Sequence, residues 1–550
     1  MKYLISLTAG ILFAVGLHAQ SPKAATAPAR EIARPKLVVG IIVDQMRYDY
    51  FYRFYDKYGE GGIKRFMNQG FFARNNHYHY ALTITAAGHA SVYTGSAPAI
   101  HGIIGNDWYD PIEGRGVYCV EDSTVKIVGS PTESAGKMSP RNLLVSTVTD
   151  QLKLATNFRS KTIGISIKDR GAILPAGHTA DAAYWFDSKS GNFVTSTYYR
   201  NELPAWVKEY NDKKLPAKYA REGWKTLLPI DQYTESTPDN EPWEGRFTGE
   251  TASTFPHDLA GISGNSFGSV TTSPWGNTLL KDLAIAAIKN ENLGKGQFTD
   301  FLAVSFSSPD AVGHMYGPNS IEIEDVYLRM DRDFAEMFTF LDSWVGKDNY
   351  TVFISADHGV ADVPAFWQEH KLPGGLVPLA KMGDDIRKAL NSAFGEGQYV
   401  RSVANGQIYL DHALLKERGI SQDQVHAVVK EAIIGDPSIA DVLNLKRLNE
   451  EQLTPYQLDL YRNLIMVKRS GDIQIVPRPG WVSWRPQGTS HGTPYNNDTH
   501  VPFALFGWGV KHGETLRRTA IADIAPTISA LLHILPPNGS IGQPVVEALK

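Results

Sequence analysis

Short runs of apolar, mostly β-branched residues recur along the chain between longer segments with helical spacing. The first run is "LVVGIIVD" at 37–44, and similar runs lie at 162–167, 301–306, 350–356 and 501–509. An unbroken apolar run of this length predicts a strand buried on both faces, which is typical of parallel sheets. Amphipathic segments such as 323–344 predict helices between the strands. The alternation predicts an α/β fold with a central, mostly parallel sheet flanked by helices.

Two long stretches interrupt this alternation. Residues 171 to about 290 carry five tryptophans with many Tyr, Pro and Gly, and residues 370 to about 480 combine helical segments with the strand-like "GQIYLD". We interpret both as cap regions inserted into one domain that spans 37–545.

The N-terminus has the pattern of an export signal. Lys2 precedes a short apolar run that ends before His18, Ala19 and Gln20. This predicts a cleavable signal peptide at 1–19 and a periplasmic or secreted protein, because the run is too short for a good membrane span. Residues 20–36 are rich in Ala and Pro and predict a flexible lead-in. No cysteine lies near the expected cleavage point, so no lipid anchor is expected.

Composition excludes several classes of protein. The chain has 550 residues, of which 43% are hydrophobic, and 54 basic against 58 acidic residues give a formal net charge of -4. This balance does not favour a nucleic-acid partner or a polybasic membrane contact. The single cysteine, Cys119, excludes an internal disulfide and a thiolate metal site, and we interpret it as a buried small residue.

Acidic and histidine side chains follow the predicted strands. Because sites in open α/β sheets form at the carboxyl ends of strands, residues from distant segments can converge at one edge. Carboxylates and neutral imidazoles are good zinc ligands, and six of them suit two ions with open positions. The candidate ligands are Asp44, Asp310, His314, Asp357, His358 and His491.

The segment "TITAAGHASVYTG" at 83–95 places Thr85 ahead of a predicted helix. Taken alone, a threonine at this position is more often a helix cap than a nucleophile. A threonine hydroxyl is a poor nucleophile near neutral pH, but a bound zinc ion would favour its ionised form. A helix N-terminus also favours anions, so this position suits phosphoryl chemistry.

Taken together, "VDQMR", "TITAAGHASVYTG", "SSPDAVGH", "SADHG" and "SHGTPYNNDTHVPFALFGWG" resemble the alkaline phosphatase superfamily, in that order along the chain. The resemblance implies a catalytic domain over 37–545 with two zinc ions. Classical members of the superfamily use serine and a third, magnesium site, but the sequence has no matching magnesium-ligand pattern, so we expect two zinc ions only. It implies one zinc ligand set of Asp310, His314 and His491. It implies a second set of Asp44, Asp357 and His358, with Thr85 as both ligand and nucleophile.

The type of residue at position 85 also distinguishes the branches of the superfamily. Sulfatases need Cys or Ser there, whereas nucleotide pyrophosphatases and diesterases use threonine and remain the alternative. Lys168, Arg170 and Asn106 resemble the phosphate-binding residues of threonine-type, monoester-specific bacterial alkaline phosphatases. Arg can bind two phosphate oxygens and Lys supplies a point charge, which suits a monoester dianion. Out of context, residues such as Lys168 and Arg170 are more often solvated charges, here on either side of Asp169.

The resulting hypothesis is an exported alkaline phosphatase that acts on a broad range of small phosphate monoesters through a phospho-threonine intermediate. It is expected to be a monomer without a membrane anchor. A non-catalytic protein that binds metal or phosphate is the alternative from another class.

Overall fold

The computed structural model describes residues 33–131, 133–260 and 266–550. The predicted signal peptide and residues 20–32 of the predicted lead-in lie outside the described residues. The strands are β1 Leu37–Val43, β2 Phe71–Ala73, β3 Asn76–His77, β4 Asp107–Asp110, β5 Arg115–Tyr118, β6 Ile127–Val128, β7 Thr162–Ser166, β8 Ala182–Asp187, β9 Asn192–Ser196, β10 Asp300–Phe306, β11 Tyr350–Ser355, β12 Gly375–Leu376, β13 Val400–Ala404, β14 Gln407–Leu410, β15 Ile439–Asn444, β16 Ile473–Pro477, β17 Trp481–Val482, β18 Phe503–Gly507, β19 Gly513–Thr515 and β20 Thr519–Ala520.

Helices connect these strands. They are α1 Tyr50–Arg53, α2 Ile63–Gln69, α3 Thr85–Thr94, α4 Pro98–His101, α5 Val148–Ala155, α6 Asp169–Ala176, α7 Ala205–Asp212, α8 Leu215–Glu222, α9 Gly268–Thr271, α10 Pro274–Asn290, α11 Ser308–Tyr316, α12 Ile321–Leu341, α13 Pro364–Glu369, α14 Leu379–Phe394, α15 His412–Arg418, α16 Gln422–Ile433, α17 Pro455–Leu464, α18 Asn496–Thr499 and α19 Ile524–Leu531. In the described part of the chain, none of these helices has the length and apolarity to cross a membrane. Helices α6, α11 and α15 begin within three residues of the end of the preceding strand.

A ten-stranded sheet forms the centre of the fold, in the order β19-β2-β18-β11-β1-β10-β7-β8-β9-β6. The five adjacent strands from β11 to β8 are all parallel. Every residue of β1, β10 and β11 is buried, which explains their unbroken apolar sequences. The predicted α/β fold with a central, mostly parallel sheet is therefore confirmed.

The outer part of the sheet differs from the prediction for one strand. The run at 501–509 forms β18, which pairs antiparallel with β11 and with β2. An apolar run indicates burial on both faces but does not specify strand direction, so pattern alone could not identify this reversal.

Helices cover both faces of the sheet. In β8, Ala183 and Trp185 pack with apolar residues of α3 and α6. The alternate residues Ala182, Tyr184 and Phe186 pack with the larger cluster that includes α10 and α12. The predicted first cap, 171–290, needs a correction here, because α6, β8, β9 and α10 belong to these layers rather than to a cap.

A separate apolar cluster lies in the second inserted stretch. Strands β13, β14, β16 and β15 form an antiparallel sheet, and α14 and α16 pack against it. Residues 377–475, which we call the inserted lobe, fall within the predicted insertion at 370–480. We retain this division as a proposal for the domain organisation.

Candidate metal and phosphate site

The carboxyl end of β1 places Asp44 at the centre of the site. Asp44 is fully buried and accepts a hydrogen bond from Ser305 Oγ on β10 over 2.9 Å. Gln45 follows with a positive φ of 65° and turns the chain. Its backbone N–H donates to Asp357 Oδ1 over 3.0 Å, and its side-chain amide donates to Asp310 Oδ1 over 2.7 Å. Gln45 therefore links the carboxylates that follow three different strands.

The second carboxylate, Asp310, lies in the first turn of α11. His314 is one turn later, and its Nε2 lies 3.2 Å from Asp310 Oδ1. His491 Nε2 lies 3.8 Å from the same oxygen, so these three side chains can share one cation. Lys168 Nζ contacts Asp310 Oδ2 at 2.6 Å and Asp44 Oδ2 at 2.9 Å.

Thr85 begins helix α3 and faces this cluster. The cap position is Ile84, and no side-chain cap hydrogen bond is formed, so the hydroxyl does not cap the helix. Thr85 Oγ1 lies 3.4 Å from His358 Nε2. Helix α3 approaches the chain at Asp357 so closely that a Cβ on Gly88 would lie 2.1 Å from the Asp357 carbonyl oxygen. Only glycine allows this approach.

Three backbone carbonyls orient the histidine rings. The Nδ1 atoms of His314, His358 and His491 lie 2.8, 2.9 and 2.7 Å from carbonyl oxygens. Because a carbonyl oxygen can only accept, each Nδ1 carries a hydrogen, and in the neutral form of the ring Nε2 presents a lone pair. Burial lowers the pKa of His358 to about 4 and lowers the pKa of His491 well below its usual range. Neutral imidazoles with a free Nε2 are the form that binds zinc.

The charges of the site fit divalent cations. Asp44, Asp310 and Asp357 are buried together, and the ammonium group of Lys168 contacts Asp44 and Asp310. Asp357 Oδ2 is buried and has no hydrogen-bond partner among the described residues. Burial, with a further contribution from the Asp44 carboxylate, raises the pKa of Asp357 well above its usual range. A buried carboxylate of this kind is stabilised by a bound cation.

Two histidines compete as the third ligand beside Asp44 and Asp357. His89 lies near both carboxylates and completes a ligand group with them by distance. Its Nδ1, however, is 2.8 Å from the Thr85 carbonyl oxygen and its Nε2 is 2.8 Å from Ser305 Oγ. His358 Nε2 instead faces Asp357 Oδ2 at 3.3 Å. We therefore favour His358 as the ligand and His89 as a residue that orients its neighbours.

Lys168 and Arg170 lie at the start of helix α6. Strand β7 ends at Ser166, Lys168 precedes α6 and Arg170 lies in its first turn. Neither is a solvated surface charge, because both are partly buried, Lys168 is paired with Asp44 and Asp310, and Arg170 donates to the hydroxyl of Tyr118. The pKa of Lys168 is raised despite burial, because Asp310 and Asp44 favour its charged form.

Tyr118 and Asn106 complete the phosphate side of the site. Arg170 Nη1 donates to Tyr118 Oη over 3.1 Å, and that hydroxyl donates to Asp169 Oδ1 over 2.5 Å. Asn106 Oδ1 accepts from the Ala86 N–H over 3.0 Å, which places the Asn106 side chain beside the residue that follows Thr85.

The sequence did not identify several residues that shape the site. Gln45 stands inside a motif already recognised, and "TAAGH" contains His89, so proximity to known motifs could have found both. Ser305 and Tyr118 carry no local signal, because only tertiary contacts show their role. Cys119 is buried, as predicted, and the described residues contain no disulfide.

The comparisons with known proteins agree with this geometry. A family model described as type I phosphodiesterase / nucleotide pyrophosphatase matches residues 38–501. The chain is 47% identical to alkaline phosphatase PafA of Elizabethkingia meningoseptica, over 94% of this chain and 95% of that protein. It is 45% identical to alkaline phosphatase PhoV of Synechococcus elongatus, over 100% and 99%. The crystal structure of PafA matches with a TM-score of 0.92 at 47% identity, over 94% of this chain and 100% of that one.

Proposed function

The chain belongs to the type I phosphodiesterase / nucleotide pyrophosphatase family and is a phosphatase of the alkaline phosphatase superfamily, and from this premise we propose that it hydrolyses phosphate monoesters with two zinc ions and a phospho-threonine intermediate. The observation that carries the proposal is the position of Thr85. Its hydroxyl stands at a helix N-terminus beside His358, within a buried cluster of carboxylates and imidazoles.

The ligand chemistry supports two zinc sites. Asp310, His314 and His491 would hold one ion, and Asp44, Asp357 and His358 would hold the other, with Thr85 beside the second set. When bound, zinc supplies positive charge that favours ionised oxygen atoms. The remaining work belongs to side chains of the protein.

Thr85 Oγ1 is the nucleophile in this proposal. Having lost its proton to solvent, it attacks phosphorus, the bond from phosphorus to the leaving oxygen breaks, and the leaving oxygen takes a proton from water to give the alcohol. A water molecule then attacks the phospho-threonine and gives up a proton, and the Thr85–phosphorus bond breaks. The Thr85 oxygen takes up a proton, and inorganic phosphate is released. Positioning and charge carry most of the rate enhancement in reactions of this class.

Lys168, Arg170 and Asn106 support a preference for monoesters. A monoester dianion offers one more free, charged oxygen than a diester, and a guanidinium can donate to two oxygens at once. Arg170 is partly buried and its Nε lacks a hydrogen-bond partner among the described residues, so it retains donor capacity for phosphate. The diesterase alternative follows from the family, whose described activity includes diesters.

The substrate preference is tested by a direct comparison. We expect para-nitrophenyl phosphate to be turned over far faster than bis-para-nitrophenyl phosphate at alkaline pH, and chelation to abolish both activities. Arg170→Ala and Lys168→Ala should lower monoester turnover more than diester turnover. A protein that strongly prefers the diester would overturn the monoesterase proposal, and one that binds zinc without hydrolysing either ester would favour the non-catalytic alternative.

Export is a further part of the proposal. The N-terminal pattern around Lys2 supports a cleavable signal peptide. We propose a periplasmic or secreted monomer with small phosphate monoesters as its substrates. N-terminal sequencing of the mature protein would test the expected cleavage after Ala19.

A further inference from the structure

The inserted lobe reaches back to the segment that carries Asn106. The hairpin between β13 and β14 turns at Asn405, whose φ of 56° is left-handed. Its side chain donates from Nδ2 to the backbone carbonyl of Asp107 over 2.6 Å. The approach is tight, because a Cβ on Gly105 would lie 2.4 Å from Asn405 Nδ2. Asn405 therefore contacts the residues on both sides of Asn106.

A second residue of the lobe holds the same segment. Arg469 Nη1 donates to the Gly102 carbonyl over 2.5 Å and to the Asn142 carbonyl over 2.8 Å. Its guanidinium lies 4.8 Å from the centre of the Trp108 ring. Arg469 and Asn405 thus fix the segment 102–108 at its two ends.

Asn106 itself is held on the opposite side. Its backbone carbonyl accepts from the Cys119 N–H over 2.9 Å, and its side-chain Oδ1 accepts from the Ala86 N–H over 3.0 Å. With Oδ1 used in this way, the Nδ2 group remains available to donate to a bound phosphate. The direction of that donor depends on where the backbone of 105–107 is placed.

We propose that Asn405 is a positioning residue, which sets the placement of Asn106 and thereby the strength of phosphate binding. The inference rests on the proposed function, because it assumes that Asn106 donates to phosphate. Asn405 does not belong to the site, and it acts across the junction between the inserted lobe and the central domain. A small displacement of a donor is costly in a reaction that depends on positioning.

Two substitutions at the hairpin separate positioning from folding. Asn405→Gly removes the amide group and tolerates the left-handed backbone, so the turn is retained. Asn405→Asp keeps the shape of the side chain but places a carboxylate oxygen against the Asp107 carbonyl. Asn463→Ala is the matched control, because Asn463 also donates from Nδ2 to a backbone carbonyl, that of His79, over 2.8 Å.

The measurement is inhibition by inorganic phosphate together with kcat and KM for para-nitrophenyl phosphate, in the zinc-loaded full chain. Loss of one such hydrogen bond corresponds to about a three- to tenfold effect. We expect Asn405→Gly to weaken phosphate binding by this factor and Asn405→Asp by at least as much. Asn463→Ala should leave phosphate binding unchanged. In the Asn106→Ala background, Asn405→Gly should cause no further loss.

Four results would overturn the inference. Unchanged phosphate binding in Asn405→Gly, or an equal loss with and without Asn106, would show that Asn405 does not act through Asn106. An equal loss in Asn463→Ala would indicate general loosening of the fold. If Asn106→Ala alone left phosphate binding and monoester turnover intact, the proposed role of Asn106 in the site would be wrong as well. If Asn106→Ala impaired both while Asn405→Gly did not, only the role of Asn405 would be wrong.

Discussion

The hydroxyl of Tyr118 holds the guanidinium of Arg170 in place. Tyr118 Oη accepts from Arg170 Nη1 over 3.1 Å, and because it donates its own hydrogen to Asp169, it is oriented as an acceptor. A hydrogen bond to a charged group contributes about 1.5–3 kcal/mol. We expect Tyr118→Phe to lower kcat/KM for a monoester by about 10- to 100-fold. Steady-state kinetics with monoester and diester substrates measure the effect, which should be smaller for the diester.

Tyr327 provides the control for this substitution. It is a buried tyrosine of α12 whose hydroxyl has no hydrogen-bond partner among the described residues. Tyr327→Phe should leave both kinetic constants near those of the parent protein. Equal activity of Tyr118→Phe and the parent would show that Arg170 does not need this contact.

Thr85 is expected to carry the phosphoryl group. Thr85→Ala should reduce monoester turnover by several orders of magnitude, because no other hydroxyl occupies its place, whereas Thr85→Ser should retain substantial activity. Acid quenching with labelled substrate, followed by peptide mapping, should find the label on residue 85 in the parent and none in Thr85→Ala. A stable phosphoryl adduct on a different residue would contradict the assignment.

Metal removal should abolish activity, and zinc should restore it. Two equivalents of zinc per chain are expected, and Asp310→Ala should lose close to one, because Asp310 lies within ligand distance of both His314 and His491. Elemental analysis of the purified proteins measures this directly. Asp348→Ala, at an exposed aspartate, should keep the full zinc content. Retention of two equivalents in Asp310→Ala would exclude the proposed ligand set.

Local patterns predicted much of the framework and of the candidate site. The runs at 37–44, 301–306 and 350–356 became neighbouring parallel strands. Their polar ends therefore converge, because strands that share direction and register finish at one edge. The ligand candidates could be named from this rule and from the family motifs.

Long-range contacts explain what the sequence left open. The direction of β18 is set by its partners β11 and β2, which are more than 140 residues away in the chain. The Arg170–Tyr118 and Asn405–Asp107 hydrogen bonds join residues separated by 52 and 298 positions. Tyr118 and Asn405 have no local sequence signature, because each is an ordinary polar residue whose role arises only in the folded chain.

The free energy of unfolding is expected to fall as the pH rises, because His257 loses the charge with which it makes a buried ionic contact. Its Nδ1 lies 3.1 Å from Glu250 Oε1 and its Nε2 lies 3.2 Å from Glu322 Oε1. Burial opposes the charge on the imidazole, but hydrogen bonds to both glutamates raise the pKa of His257 to about 9. Because the folded pKa exceeds the unfolded value of about 6.5, this contribution is fully present below pH 6.5 and disappears as the pH passes 9. The shift corresponds to about 3 kcal/mol.

Replacement of this histidine tests the linkage. His257→Gln should lower the free energy of unfolding most at pH 6.5 and least at pH 9.5, because the glutamine cannot carry the charge that the glutamates stabilise. Urea unfolding at the two pH values measures the difference, and His512→Gln, at an exposed position, should follow the parent protein at both. If His257→Gln and the parent lost the same stability between the two pH values, the charged contact would not govern the pH dependence. The decline would then originate in other buried groups. Glu244 would be the next residue to substitute, because burial raises its pKa to about 9.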